Sequence, residues 1–433
     1  MTYPVEGKTV LVVGMGKSGL AAIDLLLAKG ATVRATDSRP VEVCIVPLFP
    51  QTVETFTSVD LVVLSPGVPA DIPEVLAARS KGIPVIGEVE LAGYYLRGPV
   101  IGITGSNGKT TTTAMVGHIL GEAGVARQVG GNIGTPPTAM VETSRENQWN
   151  VLELSSFQTE TIEEFRVDIG VGLNLTPDHL DRHGTLQKYN DAKARLFDLQ
   201  QPRSFAVLNA DDPATCSWAG RTKAEVHWFS RRSVAKPGAW LKNDVVIIDG
   251  LPLLTTQEIP LMGVHNVENT MAAAAAARLI GAAPDAIAAG IRSFPGVEHR
   301  IEFVREAGGV RYYNDSKATN VDAAEKAIDA FPGNLWIILG GKDKNSDYSV
   351  LRNKLAVKSK GILLIGAAAD KIASQLAGLP LIRAGALDSA VELAANRATS
   401  GDTVLLAPAC ASFDQFQSYE HRGRVFKELV RKL

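Results

Sequence analysis

The chain is short of cysteine. Cys44, Cys216 and Cys410 are its only three, far apart, so neither a disulfide framework nor a metal-binding pair can be read from them. Such usage suits a reducing cytoplasm. A charge surplus is also missing: 44 Lys and Arg stand against 46 Asp and Glu. A net charge of -2 gives no basic footprint for nucleic acid or an anionic membrane surface. Local basic pairs such as Arg231 and Arg232 read as solvated surface. Long hydrophobic runs are absent. Thr9 to Val13 is far too short to span a bilayer and ends in glycines, and Ala272 to Ala277 reads as the interior of a helix. Met1 to Lys8 lack the basic region and apolar stretch of a signal peptide. No short-period repeat or low-complexity segment appears. The expectation is a cytoplasmic chain acting on small molecules, a monomer with no nucleic-acid or membrane partner.

What is present is ordinary globular material, 45% hydrophobic and 21% charged. At about 100–200 residues per domain, its 433 residues allow two to four domains. Short apolar strands alternate with helical stretches, the pattern of parallel sheets with crossover helices. Strands are expected at Thr9 to Val13, Thr32 to Ala35 and Asp60 to Leu64, with a helix from Leu20 to Lys29. A second series begins with a strand at Val100 to Thr104 and a helix at Thr111 to Glu122. Strands follow at Val151 to Leu154, Ile169 to Leu175 and Phe205 to Leu208, with helices at Leu186 to Leu199 and Asn266 to Ile280. A third series has strands at Val310 to Tyr313, Leu335 to Leu339, Ile362 to Ile365 and Thr403 to Ala407, and a last helix from about Gln415 to Lys432. The fold class is α/β, in three consecutive domains. These are an N-terminal Rossmann-like domain (1–93), a central P-loop mononucleotide-binding α/β domain (94–297) and a C-terminal Rossmann-like domain (298–433).

Gly105-Ser106-Asn107-Gly108-Lys109-Thr110 sits between a strand and a helix. In a phosphate-binding loop the backbone N–H groups and helix N-terminus hold phosphate oxygens, the lysine reaches the β- and γ-phosphates, and the hydroxyl ligates magnesium. Lys109 and Thr110 fill those last two places. The first glycine of the general G-x-x-x-x-G-K-[ST] pattern falls on Ile103, and Gly105 supplies a glycine two positions later. In the first segment Gly14, Gly16 and Gly19 form G-x-G-x-x-G after a strand, with Asp37 eighteen residues beyond. Two alternatives stand for this turn: a nicotinamide dinucleotide, or the diphosphate of another nucleotide.

The variant loop Thr104-Gly105-Ser106-Asn107-Gly108-Lys109-Thr110 resembles that of the Mur ligases and their folylpolyglutamate synthetase relatives. So do Gly130-Gly131-Asn132-Ile133-Gly134, Leu152-Glu153-Leu154-Ser155-Ser156-Phe157-Gln158, His265-Asn266-Val267-Glu268-Asn269, Asn314-Asp315-Ser316-Lys317-Ala318-Thr319-Asn320 and Ser412-Phe413-Asp414-Gln415-Phe416 with Tyr419, Glu420, Arg422 and Gly423. The resemblance covers nearly the whole chain. It implies an enzyme that uses ATP to phosphorylate a carboxylate, after which an amine attacks the acyl phosphate to form an amide. The motifs resemble those of the branch that joins D-glutamate to UDP-N-acetylmuramoyl-L-alanine, which implies a part in cytoplasmic peptidoglycan precursor synthesis. The Asp-Asn-Pro-Arg motif that marks ligases adding diamino acids is absent.

The resemblance assigns roles residue by residue. Gly105, Ser106, Asn107, Gly108, Lys109, Thr110, Thr111, Asn266, Asn269, Arg300 and Asp315 would bind ATP. Met15, Lys17, Ser18, Asp37, Ser38, Arg39, Gly67, Asn132 and His179 would bind the UDP-substrate. Lys17 stands where a small or apolar residue is expected, so it either adds a charge to the diphosphate or points to solvent. Thr319, Lys344, Ser412 and Tyr419 would hold D-glutamate, with Lys342 an alternative to Lys344. Lys109, Glu153, His179, Lys193 and Lys317 would be catalytic. Thr110, Glu153, His179 and Lys193, the last as a carbamate, would support two Mg2+ ions. Residues of all three segments take part, which implies closure of the third segment during reaction.

Overall fold

The computed structural model describes residues 4–41 and 45–433. Cys44 lies outside them, and Cys216 and Cys410 are free thiols. The chain forms two compact units, Met1–Pro260 with Val267–Phe294, and Leu261–Asn266 with Pro295–Leu433. The first unit holds two of the three expected segments, each with its own sheet.

The N-terminal sheet contains β1 (Thr9–Val13), β2 (Thr32–Thr36), β3 (Leu61–Leu64) and β4 (Val85–Gly87) in the order β2-β1-β3-β4, all parallel. Successive side chains of a strand point to opposite faces. Val10 and Val12 therefore enter one core while Leu11 and Val13 enter another. Burial on both faces explains why β1 reads as one apolar run rather than an alternation. The first helix runs Lys17–Ala28, three residues earlier than its apolar periodicity suggests, because the glycine turn leads straight into it.

The central sheet has nine strands. They are β5 (Val100–Thr104), β6 (Arg127–Gly131), β7 (Trp149–Glu153), β8 (Ile169–Gly172), β9 (Phe205–Asn209), β10 (Glu225–Ser230), β11 (Gly238–Lys242), β12 (Val245–Ile248) and β13 (Leu251–Thr255). The order is β13-β12-β11-β10-β9-β8-β5-β7-β6. From β11 to β6 all pairs are parallel; β11–β12 and β12–β13 are antiparallel. β5, with the phosphate loop at its C-terminal end, lies between β7 and β8, so loops from both neighbours emerge beside it. Pro252 is part of the edge strand β13. The expected strand Ile169 to Leu175 stops at Gly172, since Leu173 to Thr176 leave the sheet to meet the phosphate loop. The helix Val264–Leu279 begins two residues before Asn266 and buries the alanine run.

The second unit has β14 (Glu302–Ala307), β15 (Val310–Asn314), β16 (Leu335–Gly340), β17 (Ser359–Ile365), β18 (Leu381–Gly385) and β19 (Thr403–Leu406). Their order is β14-β15-β19-β16-β17-β18, with only β14–β15 antiparallel. Leu335, Ile337 and Leu339 pack on one face and Trp336 and Ile338 on the other. The last helix is Tyr419–Arg431, not Gln415 onward. Ser418 is its N-cap and accepts from the His421 N–H, which fixes the start and leaves Ser412 to Gln417 as a loop. No helix of the described residues is long and apolar enough to cross a membrane.

Candidate active site

Glycine is required at two points of the phosphate loop. Gly105 has φ +151° and Gly108 has φ +84°, and Gly108 caps the helix Lys109–Glu122. A Cβ on Gly108 would lie 2.2 Å from Asn269 Oδ1, so the loop closes directly onto the helix Val264–Leu279. The loop after β8 holds the other side. Asn107 N donates to Asn174 Oδ1 at 2.9 Å, Asn174 Nδ2 donates to Asn107 O at 3.1 Å, and Thr176 N donates to Ser106 Oγ at 2.9 Å. Tyr189 OH lies 3.1 Å from the same Ser106 Oγ. Lys109 Nζ donates to Gly105 O at 2.8 Å and Ser106 O at 2.9 Å, which keeps its charge over the loop.

A second ammonium shares that carbonyl. Lys193 Nζ donates to Gly105 O at 2.8 Å and is 1% exposed. Burial first, then the Lys109 charge, hold its pKa well below the ordinary lysine value; Asp178 and Glu153 pull the other way. A lysine so placed favours the neutral, nucleophilic amine. Glu153 ends β7 and is also buried. Its Oε1 accepts from Asn132 Nδ2 at 2.8 Å, while Oε2 is buried with no hydrogen-bond partner. His179 has φ +52° at the start of the short helix Leu180–His183, and its ring meets Phe157 edge-on at 4.8 Å between centroids.

A cavity of about 630 Å³ adjoins this region within the same unit. Lys17, Ser18, Asp37, Ser38, Arg39, Gly67 and Asn132 line it, all seven expected at the UDP-substrate. Met15 is not among the lining residues; its N–H donates to Asp37 Oδ2 at 2.7 Å. Burial works to raise the Asp37 pKa, yet the N–H groups of Met15 and Arg39 and the Arg39 charge hold it below the ordinary carboxylate value. Asp37 therefore braces the glycine turn as a carboxylate. A Cβ on Gly19 would stand 1.9 Å from Gly14 O, which is why the third glycine of the turn admits no side chain. Lys17 does not merely face solvent: its ammonium donates to Gly134 O across the cavity. A separate cavity of about 690 Å³, lined by Leu25, Tyr95, Arg97, Val141 and Arg145, contains none of the expected site residues.

In the second unit Asp315 follows β15 and is buried. Burial pushes its pKa up to about 6 against the pull of Arg300, the Ile301 N–H and Lys317. Asp315 Oδ1 and Arg300 Nε are both buried without a hydrogen-bond partner. Arg300 stands between two residues of positive φ, His299 at +65° and Ile301 at +43°. A β-branched residue there is held against its preference, as at sites the surrounding structure over-determines. Lys317 Nζ lies over the Tyr419 ring, 5.6 Å from its centroid. Tyr419 O accepts from Ser316 Oγ at 2.8 Å. Arg422 Nη2 donates to Ser316 O at 2.9 Å and to Cys410 O at 3.2 Å, tying the Asp315–Lys317 turn to the strand end before Ser412. Lys342 pairs its backbone with Ala411, next to buried Ser412; Lys344 is exposed two residues farther on. Thr319 N donates to Lys317 O at 2.8 Å. Asn266 belongs to this unit and its Nδ2 donates to Met262 O at 2.7 Å, whereas Asn269 belongs to the first.

Three family models match in succession. They are "Mur ligase MurD-like, N-terminal domain" over residues 8–87, "Mur ligase middle domain" over 103–277 and "Mur ligase, glutamate ligase domain" over 299–410. A UDP-N-acetylmuramoylalanine–D-glutamate ligase of Solibacter usitatus is 57% identical over 435 residues, 99% of this chain and 98% of that protein. The chain belongs to the Mur ligase family. A protein of the same name from Acidobacterium capsulatum is 53% identical, over 98% of this chain and 96% of its own. Among solved structures, UDP-N-acetylmuramate-alanine ligase MurC of Thermotoga maritima shares the fold with a TM-score of 0.64 at 19% identity, over 98% of this chain and 99% of its own. MurF ligase of Thermotoga maritima in complex with ADP gives 0.63 at 19% identity, over 99% and 96%. The Gly14–Gly19 turn is thus that of a Mur ligase and not of a nicotinamide-dependent oxidoreductase.

Mur ligases are ATP-dependent and use Mg2+. The residues present fit both. The cradle leaves no room for a Cβ at Gly105 or Gly108, and the orphaned Glu153 Oε2 offers a hard oxygen at the strand end beside it. Among the described residues no three His, Cys, Asp or Glu side chains cluster as a metal site. Magnesium commonly takes one or two carboxylates and completes its shell with water and phosphate oxygens.

Asn174, Thr176, Tyr189 and His183 carry no role assigned from the sequence. His183 is buried, its Nε2 3.0 Å from Ser156 Oγ and its ring stacked on Phe157. A polar residue at the end of the strand next to a phosphate loop was the available signal for Asn174 and Thr176. Tyr189 and His183 had none, since their roles depend on a helix packing back over the loop.

Proposed function

We propose that this Mur ligase joins D-glutamate to UDP-N-acetylmuramoyl-L-alanine in cytoplasmic peptidoglycan precursor synthesis. ATP phosphorylates the alanyl carboxylate, the amine of D-glutamate attacks the acyl phosphate, and ADP and phosphate leave. The observation that carries this reading is the gathering of Lys109, Lys193 and Glu153 around one glycine loop. They do so in a chain 57% identical over its length to a UDP-N-acetylmuramoylalanine–D-glutamate ligase. The domains divide as 1–93, 94–297 and 298–433, and the enzyme acts as a monomer.

The chain's own residues divide the work. The N–H groups of Gly105 to Thr111 and the Lys109 ammonium hold the phosphates of ATP, with Asn266, Asn269, Arg300 and Asp315 on the remainder of the nucleotide. Thr110, Glu153, His179 and carbamylated Lys193 would hold two Mg2+ ions, whose charge would offset the repulsion between γ-phosphate and carboxylate. Buried Lys193 is suited to carbamylation: the ammonium first gives up one proton, its neutral Nζ then attacks carbon dioxide, one N–C bond forms as one C–O π bond opens, and a second proton leaves, so that a cation becomes an anion. Lys17, Ser18, Asp37, Ser38, Arg39, Gly67 and Asn132 receive the UDP-substrate. Thr319, Lys344, Ser412 and Tyr419 receive D-glutamate, and Lys317 stabilises charge on the transferring phosphoryl group.

Phosphate release tests the reading. ATP and UDP-N-acetylmuramoyl-L-alanine are supplied while the amino acid is varied. D-glutamate should support release far above L-glutamate, glycine, lysine or diaminopimelate; equal rates with any of these would refute the assignment.

A further inference from the structure

The segment Gly130–Thr138 is held from three directions. Asn132 N donates to Glu153 O and Asn132 Nδ2 to Glu153 Oε1, both at 2.8 Å. Gly134 O accepts from the Lys17 ammonium. At its far end Thr138 N and Oγ1 donate to Glu88 Oε1 at 2.7 and 2.6 Å. Glu88 is 1% exposed, and its Oε2 has no hydrogen-bond partner. Lys17 and Glu88 both come from the segment that carries the Gly14–Gly19 turn, whereas Glu153 ends the strand beside β5 and its phosphate loop.

We propose that this segment couples the two ligand sites, with Lys17 as the residue that senses a diphosphate and Glu88 as the positioning residue that anchors the segment. The inference rests on assigning the 630 Å³ cavity to the UDP-substrate. Lys17 opens its helix at the rim of that cavity, and its one charge is now engaged by a neutral carbonyl. A diphosphate is the stronger acceptor, because hydrogen bonds between two charged groups exceed those to a neutral one. Its arrival draws the ammonium off Gly134 O and frees the middle of the segment. With Thr138 fixed by Glu88, the displacement passes to Asn132 and so to the carboxylate it orients. Coupling of this kind is reciprocal: nucleotide with magnesium must alter diphosphate affinity by the same factor.

Calorimetry on the full chain tests this, with UDP as the diphosphate probe and magnesium with a non-hydrolysable ATP analogue as the second ligand. Saturating UDP should change the analogue's Kd by about fivefold or more. The ratio of the two Kd values should fall to near one in Lys17→Met and in Glu88→Ala. It should recover in Glu88→Gln, which keeps a carbonyl acceptor for Thr138. A merely structural role would weaken both ligands and leave the ratio alone. A wild-type ratio of one, or Lys17→Met keeping the wild-type ratio, overturns the proposal while the substrate assignment stands. If UDP does not bind the wild-type chain, the substrate assignment falls and the coupling with it.

Discussion

Replacing Gly108 by alanine separates backbone strain from a steric conflict at the phosphate loop. At φ +84° an L-residue costs about 1–2 kcal/mol. The new Cβ would also stand 2.2 Å from Oδ1 of buried Asn269, so loop or helix must shift. Forcing extra volume into a packed site adds about 1–3 kcal/mol. Gly124 provides the control. It lies just past the end of the same helix at φ +70° with nothing within 4 Å of its would-be Cβ, so Gly124→Ala carries the strain alone. Urea unfolding should show Gly108→Ala losing roughly 2–5 kcal/mol and Gly124→Ala about 1–2 kcal/mol. Fluorescence titration of an ATP analogue should weaken at least about tenfold for Gly108→Ala, the equivalent of 1.4 kcal/mol. It should be unchanged for Gly124→Ala. Equal stability losses and equal nucleotide affinities in the two variants would refute the claim that the loop's fit against Asn269 sets its shape.

Glu153→Gln should reduce phosphate release by about two orders of magnitude or more, yet leave urea stability equal to wild type or higher, since an amide replaces a buried carboxylate with one unpartnered oxygen. Incubated with 13C-bicarbonate, the wild-type chain should show a carbamate resonance that Lys193→Met lacks; identical spectra would remove Lys193 from the metal site. Burial pushes the Glu88 pKa from 4.5 up to about 7, against the two bonds from Thr138. A raised pKa means that the folded state holds the proton longer, so this contribution to stability is full below pH 4.5 and lost as pH rises through about 7. Between pH 5 and 8 wild-type stability should therefore fall relative to Glu88→Gln by up to roughly 3 kcal/mol, followed by urea unfolding.

Much of the fold is legible in the sequence because buried parallel strands read as short apolar runs. β1, β5 and β16 fall where Thr9, Val100 and Leu335 begin such runs. β10 to β13 are harder to see: their burial is partial, with exposed Glu225 and Lys242 among them. Their signal lies in the turns. Asn243 and Asp244 have φ +48° and +60°, and Asp249 and Gly250 have +50° and +88°. Both are two-residue connections of the type that suits tight hairpins. For the site, Gly105 to Thr110 are readable because phosphate binding needs those residue types in that order. Glu88 escapes notice because a Glu at the start of a short helix is ordinarily solvated. Only the approach of Thr138, fifty residues away, makes it a buried anchor.

The edge strand β13 has a consequence for the enzyme's behaviour at high concentration. A nine-stranded sheet that ended on a regular apolar strand would offer its outer backbone groups to another chain. Leu251, at that edge, is exposed and apolar enough to invite such pairing. Pro252 beside it has no N–H to give, and a register shift at Val246/Ile247 bends the underlying pair. The hairpin extension beyond the parallel strands thus works as a terminator, keeping the sheet that carries the phosphate loop from growing between molecules.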